Sequence, residues 1–361
     1  MYKTFIPALF SILFASCITM NTINIDVLEP ASNPVTPDIE NAVLLNRMII
    51  VNSDDSRVIG NSVFRIIKRD ISGTRPNDTI VPENTVIESY NQITTEVIFS
   101  LADILNESPG INHLPDSALL EVPESDSGIT LDPLDAGFVK RNTELFGADG
   151  IISLENFYVE YNDTITINEG DAETGWYNYY IGSINLIINA LWRTYTSSDG
   201  EVIDEYEMRD TLKWTNASFT RSLIFEGLPT LDEALLESAY FTALNVARRI
   251  SPYWMLEERY YFSRGNYDFR MASHYLINGQ WDNAETIYMN LLNRRNYTIR
   301  AAAYYNLALL NELKGDFRQA LVYARKSYQA KILPVTIKYI DILEERSAKS
   351  RELDRQLGIT S

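Results

Sequence analysis

The sequence predicts an α+β protein: an amino-terminal α/β domain with a mixed sheet and a long hairpin, followed by an all-α repeat domain. Three observations carry this reading. Between residues 265 and 334 a helical hairpin is written twice, Gly279-Gln280-Trp281-Asp282-Asn283-Ala284 returning as Gly315-Asp316-Phe317-Arg318-Gln319-Ala320 after 36 residues. Self-similarity at such a period marks a helical array. Asp199-Gly200 sits between two long alternating runs, 177–195 and 201–215, which is a strong hairpin signal. Upstream of these, apolar strand-like runs alternate with helical patterns through short turns, the order of an α/β unit whose sheet is at least partly parallel.

The second copy of the hairpin is the clearer. Residues 303–310 place small and large apolar side chains at helical spacing, Gly315 permits a left-handed turn, and Ala320, Leu321, Tyr323 and Ala324 begin the returning helix. Two repeats are too few to bury their own faces, since an array needs about three. Helices over 230–261 and 335–357 are therefore expected to cover its ends. This divides the chain into an α/β domain, 25–228, and a helical domain, 229–361, with repeats at 265–298 and 301–334.

These repeats resemble the tetratricopeptide repeat. Tyr304, Asn306, Leu307, Ala308, Gly315, Asp316, Phe317, Ala320 and Ser327 stand where that family carries its aromatic, Asn, Leu, small, Gly, Asp, aromatic, Ala and small residues. In the first copy Met271, Ala272, Tyr275, Gly279, Trp281, Ala284 and Leu291 match, while Asp268 replaces the first aromatic. The resemblance implies a protein or peptide partner lying on the concave face formed by the first helices. Asn266, Phe269, Arg270, Ser273, Ala302, Tyr305, Asn306 and Leu309 would line it.

At the amino terminus Lys3 precedes an apolar run over 5–16, and Cys17 follows at once. Twelve residues fall short of the roughly 20 needed to span a bilayer, so the run reads as a signal peptide, 1–16. Phe14-Ala15-Ser16-Cys17 is similar to the bacterial lipobox, although Phe14 stands where Leu is usual. The resemblance implies cleavage before Cys17, acylation of its sulfur and a lipidated tether over 17–24. Cys17 is the chain's single cysteine, and in an oxidising compartment a lone thiol is a liability unless it is consumed. More than one acyl chain anchors a protein stably. With Ile18-Thr19 after the cysteine and no Asp there, the sorting pattern of such lipoproteins points to the outer membrane; the side stays open between periplasm and exterior, and the lack of an acidic cluster just after Cys17 favours the periplasm.

Charge is unevenly placed. Residues 1–250 hold 15 Lys/Arg against 37 Asp/Glu, net −22, whereas 251–361 hold 16 against 12, net +4. An acidic body excludes nucleic acid as a partner, because phosphate binding needs a basic surface. The change of sign near residue 250 also marks a boundary.

Within the α/β domain, 25–30 alternates like a strand and a Pro-rich loop (Pro30, Pro34, Pro37) ends it. Residues 42–51 are almost wholly apolar, which suits a strand covered on both faces. Residues 85–106 show helical spacing stopped by Pro109-Gly110, a short strand is expected over 118–122, and a helix over 133–146 leads through Gly147-Ala148-Asp149-Gly150 into a strand over 151–161. On the first hairpin strand Ile184, Leu186, Ile188, Ala190 and Trp192 share one face, which is expected to be packed. A helix ending in Phe-Gly-Ala-Asp before an apolar strand resembles the small α/β domain of curli-secretion and Tol-type periplasmic proteins. That resemblance implies a structural subunit of an oligomeric envelope assembly.

No catalytic constellation stands out. His113 and His274 are the only histidines and lie far apart, so a zinc site is not expected. Nucleophile elbows, phosphate loops and dinucleotide fingerprints are absent. Carboxylates cluster at Glu121, Glu124, Asp126, Asp132 and Asp135, and at Asp163, Glu169, Asp171 and Glu173, without the spacing of a Ca²⁺ loop. A paired-carboxylate glycan-processing enzyme is the weakest of three alternatives. The expectation is a non-catalytic, lipid-anchored adaptor with no cofactor and no metal.

Overall fold

A computed structural model of the chain describes residues 19–36, 38–48, 65–70, 83–113, 132–168 and 179–359. The fold is α+β: a mixed sheet with its helices, then a run of helices. Two compact units emerge, one of residues 29–254 with 353–361, the other of 1–28 with 255–352.

The sheet unit is organised on β5 (Gly150–Asn168), a 19-residue strand. Its first half pairs parallel with β2 (Asn41–Asn46), its second half parallel with β3 (Arg65–Asp70), and its whole length antiparallel with β6 (Tyr179–Thr196). β4 (Asn112–His113) adds to β2, and β7 (Val202–Ser218) adds to β6 as the second arm of the expected hairpin. Gly200 takes φ +80° at that turn, and a Cβ there would lie 2.7 Å from the Ala136 backbone, so only glycine fits. Ile184, Leu186, Ile188, Ala190 and Trp192 are buried on one face as the alternation predicts.

Two helices cover that face. α1 (Glu83–Glu107) contributes Ile93, Val97, Ile98, Leu101, Ala102 and Leu105 to its core. α3 (Leu231–Ile250) contributes Leu235, Ala239, Ala243, Val246, Ala247 and Ile250, and Thr230 and Glu233 close a reciprocal capping box at its start. The opposite face carries α2 (Ala136–Phe146), whose Phe138 and Val139 pack on Val43, Leu45, Ile151 and Tyr195. Gly147 ends α2 at φ 65°, and Asp149 Oδ2 then accepts from the backbone N–H of Asn41 at 2.8 Å and of Glu40 at 3.2 Å. The Gly-Ala-Asp sequence thus ties the start of β5 to the start of β2.

Three expectations change here. Residues 230–261 are not one helix capping the repeats: α3 ends at Ile250, with Pro252 just beyond, and 253–262 is a strand, β8 (Tyr253–Phe262). α3 belongs to the sheet core because its Ala- and Leu-rich stripe matches the apolar face of β6, so the division falls after Trp254 and not at 228. Nor is 17–24 only a tether, since Met20 already opens β1 (Met20–Glu29), which pairs with β8. The strand expected over 118–122 lies outside the described residues.

In the helical unit α4 (Tyr267–Ile277) and α5 (Trp281–Leu291) form one hairpin, α6 (Tyr297–Leu313) and α7 (Phe317–Ala330) the next, and α8 (Pro334–Gln356) follows. Gly279 and Gly315 take φ +70° and +78° at equivalent turns. Asp316 caps α7 through the Gln319 N–H at 2.8 Å, while Gln280, its counterpart, makes no side-chain cap. Ala320 and Ala324 lie against α6, where Ser327 Oγ donates to Ala301 O at 2.8 Å.

Candidate functional site

The sequence points to the inner side of the first helices of the two hairpins. α6 is buried nearly all round, from Ala301 to Glu312, as a helix apolar on every side must be. What covers it is the chain itself. Asn306, 0% exposed, accepts the Phe262 backbone N–H on Oδ1 at 2.9 Å and donates from Nδ2 to Phe262 O at 2.7 Å. One carboxamide therefore makes the pair of bonds that a neighbouring strand would make to β8. The Phe262 ring stands edge-on to Tyr305 at 5.3 Å, and Tyr305 lies 4.8 Å from Tyr339 of α8.

Beside this clamp is a buried ionic cluster. Arg259 of β8 reaches Glu312 of α6, with Nη2 at 3.0 Å and Nε at 3.1 Å from Oε1, and also holds Glu257 at 2.5 Å. The Tyr339 hydroxyl donates to Glu312 Oε2 at 2.6 Å. A carboxylate withdrawn from water persists only when paired and hydrogen-bonded in this way. Burial, reinforced by the Glu312 charge, raises the Tyr305 and Tyr339 phenols above their ordinary value. Burial likewise raises Tyr288, whose ring sits 6.1 Å from Phe269.

The eight expected groove residues are thereby redistributed. Phe269, Ala302, Tyr305, Asn306 and Leu309 are core residues, and Ser273 is buried, donating to Phe269 O at 2.7 Å and Ser263 O at 3.3 Å. Asn266 caps α4 through the Phe269 N–H at 2.8 Å. Arg270 alone is exposed. The expectation of an open concave face is corrected: two hairpins cannot bury their inner helices unaided, and β8 and α8 supply the missing apolar cover. Arg259, Glu312 and Tyr339 went unread in the sequence. Arg259 and Glu312 are 53 residues apart, and only an unusual Glu inside an apolar helix could have signalled them.

What α4 leaves uncovered is the face opposite its core. Tyr267 is 64% exposed, Met271 37% and Ile277 60%, with Arg270 and His274 between them. Their spacing is helical, and it interleaves with the buried stripe Phe269, Ala272, Ser273 and Leu276. Arg270 has no carboxylate partner among the described residues.

In the sheet unit one of the carboxylates that drew attention, that of Asp135, serves the fold. Asp135 caps α2 through the Phe138 N–H at 3.1 Å, and Asp132 offers its backbone oxygen to Arg47. Glu121, Glu124, Asp126, Glu169, Asp171 and Glu173 lie outside the described residues, as does Cys17. A buried carboxylate the sequence did not single out, Glu155, is paired with Arg47, accepts the Tyr195 hydroxyl at 2.8 Å and lies 3.8 Å from Arg193. Burial, and then the Glu155 charge, pushes the Tyr195 phenol up to about 12. Among the described residues no group of three or more His, Cys, Asp or Glu side chains could hold a metal ion. No helix there is long and apolar enough to cross a membrane.

Comparison with known proteins adds the following. A family model described as a domain of unknown function, DUF8603, matches residues 80–262, just over half of the chain. A second, also described as a domain of unknown function, DUF6340, matches residues 270–345. No curated protein matches. Among solved structures, that of a neuraminyllactose-binding hemagglutinin homolog from Helicobacter pylori is similar at 10% identity, over 61% of this chain and 88% of that one, with a TM-score of 0.27. A likeness that slight carries no argument about this chain.

Proposed function

The chain belongs to the family of the domain of unknown function DUF8603, and from that premise we propose that it is a non-catalytic adaptor of the bacterial cell envelope. In this reading acyl chains on Cys17 hold it at the outer membrane, facing the periplasm, and the tetratricopeptide-like helical unit docks a protein partner. The observation that carries the docking is the exposed stripe on α4, Tyr267, Arg270, Met271, His274 and Ile277. A repeat array continues by stacking a helix on such a face. The occupant that fits is an amphipathic helix of a partner protein, its apolar side on Tyr267, Met271 and Ile277 and a carboxylate opposite Arg270.

The test is a crosslinked pull-down from membranes with three chains: the unaltered protein, Met271→Lys with Arg270→Glu, and Cys17→Ala. The stripe variant should lose its partner while keeping its melting temperature, because those side chains contribute little to the core. Retention of the same partner would refute the α4 surface. Cys17→Ala should move the protein to the soluble fraction; if it stays with the membrane, lipid anchoring is refuted.

A further inference from the structure

The sheet unit holds a built cleft that neither the fold nor the proposed adaptor role requires. Pro30, Ser32, Tyr206, Asn245, Arg248, Arg249 and Tyr253 line a space of about 210 Å³. Its two arginines are adjacent in sequence and opposite in state. Arg249 lies over the Tyr206 ring at 4.7 Å and is neutralised by Asp204, with Nη2 2.7 Å from Oδ1 and Nε 3.0 Å from Oδ2. Asp204 is held further by Asn33 Nδ2 at 2.6 Å. Arg248 lies over the Tyr253 ring at 5.0 Å, is exposed, and has no carboxylate partner among the described residues.

The walls are fixed in advance. The N–H groups of Ser32, Asn33 and Val35 donate to the last carbonyls of α3, those of Arg248, Arg249 and Ile250, at 3.3, 2.8 and 3.1 Å. From the other side Gln356 brackets Ala31, accepting its N–H at 2.9 Å and donating to its carbonyl at 3.1 Å. Asn245 donates Nδ2 to Phe241 O at 2.8 Å, which uses one of its two N–H groups and fixes the amide, leaving Oδ1 to accept. The cleft thus offers one uncompensated guanidinium, a carboxamide acceptor, the Ser32 hydroxyl and two tyrosines, without having to order them first.

We propose that this cleft binds a small hydroxylated carboxylate, a sugar acid, with its carboxylate on Arg248 and its hydroxyls on Asn245 and Ser32. A planar carboxylate matches the guanidinium fork. One unpaired cation suits a monoanion. A phosphate dianion would leave its second negative charge unmatched, because Arg249 is already paired with Asp204. The volume admits one ring-sized group.

The full-length chain in detergent is titrated by NMR with D-glucuronate, D-galacturonate and D-gluconate, against D-glucose and inorganic phosphate. Saturable binding of at least one acid in about the millimolar range is expected for a ligand of this size, with D-glucose and phosphate at least about tenfold weaker. Arg248→Gln should weaken the acid by about tenfold or more at an unchanged melting temperature, and Arg318→Gln, an exposed arginine elsewhere, should not. The proposal is overturned if none of the three acids saturates, if D-glucose or phosphate binds as well as the acids, or if Arg248→Gln binds undiminished.

Discussion

Asn306→Leu tests whether the concave face is closed by the chain's own strand. The substitution keeps the number and branching of side-chain heavy atoms, so it leaves no cavity. What it removes is the acceptor at 2.9 Å and the donor at 2.7 Å that satisfy both backbone groups of Phe262. Each buried backbone group left unpaired costs about 1–3 kcal/mol, so the pair costs roughly 4 kcal/mol. With urea slopes of about 1–3 kcal/mol/M, the midpoint of the helical unit should fall by about 2 M. Hydrogen exchange followed over 253–264 should show the Phe262 amide losing protection together with β8. Asn306→Asp refines the test: the carboxylate keeps the acceptor but opposes the Phe262 carbonyl, and protonation restores a donor. Its folded pKa is therefore raised, and the recovered stability is present at acid pH and lost as pH rises through that value. A midpoint shift under about 0.5 M with unchanged protection of Phe262 would refute the clamp.

Three further outcomes follow from the buried charges and phenols. Glu312→Gln leaves Arg259 with only the half-exposed Glu257 and should cost about 3–5 kcal/mol in urea unfolding; adding Arg259→Met should restore much of it, and an additive double variant would contradict the pairing. At alkaline pH the sheet unit should weaken, because the raised Tyr195 phenol contributes stability that is whole below the unfolded value near 10 and lost as pH rises through about 12. That contribution is roughly 3 kcal/mol; phenolate absorbance of the folded protein rising fully near pH 10 would contradict it. Tyr288, Tyr305 and Tyr339 are raised in the same direction, so the helical unit should also lose stability as pH rises above the unfolded phenol value near 10, read by circular dichroism at 222 nm.

Much of this architecture was legible because it is written locally. The Asp199-Gly200 turn, the alternation of Ile184 to Trp192, the glycines at 279 and 315 and the run of α1 each report a backbone state or a face through neighbours a few residues away. The helix period also showed which side of α6 is small and which is large. It could not show what lies against that side. Residues 253–262 illustrate why: Tyr, Trp, Met and Leu there fit either a helix or a strand, and only pairing with β1 and the Asn306 carboxamide selects the strand. Asn306 was expected to face a ligand on the concave side, and its carboxamide instead binds the Phe262 backbone of the same chain.

The amino-acid sequence by itself determined the repeat helices, the long hairpin, the glycine turns and the acidic and basic halves, since each depends on conformational preferences and composition within short spans. Tertiary structure alone decided which surfaces remain open. The pairing of Arg259 with Glu312, the seating of α3 on the sheet, the filling of the concave face and the contrast between Arg248 and Arg249 all depend on what distant segments bring within about 3 Å. Burial is a property of the assembled chain, and a residue's availability for function is decided there.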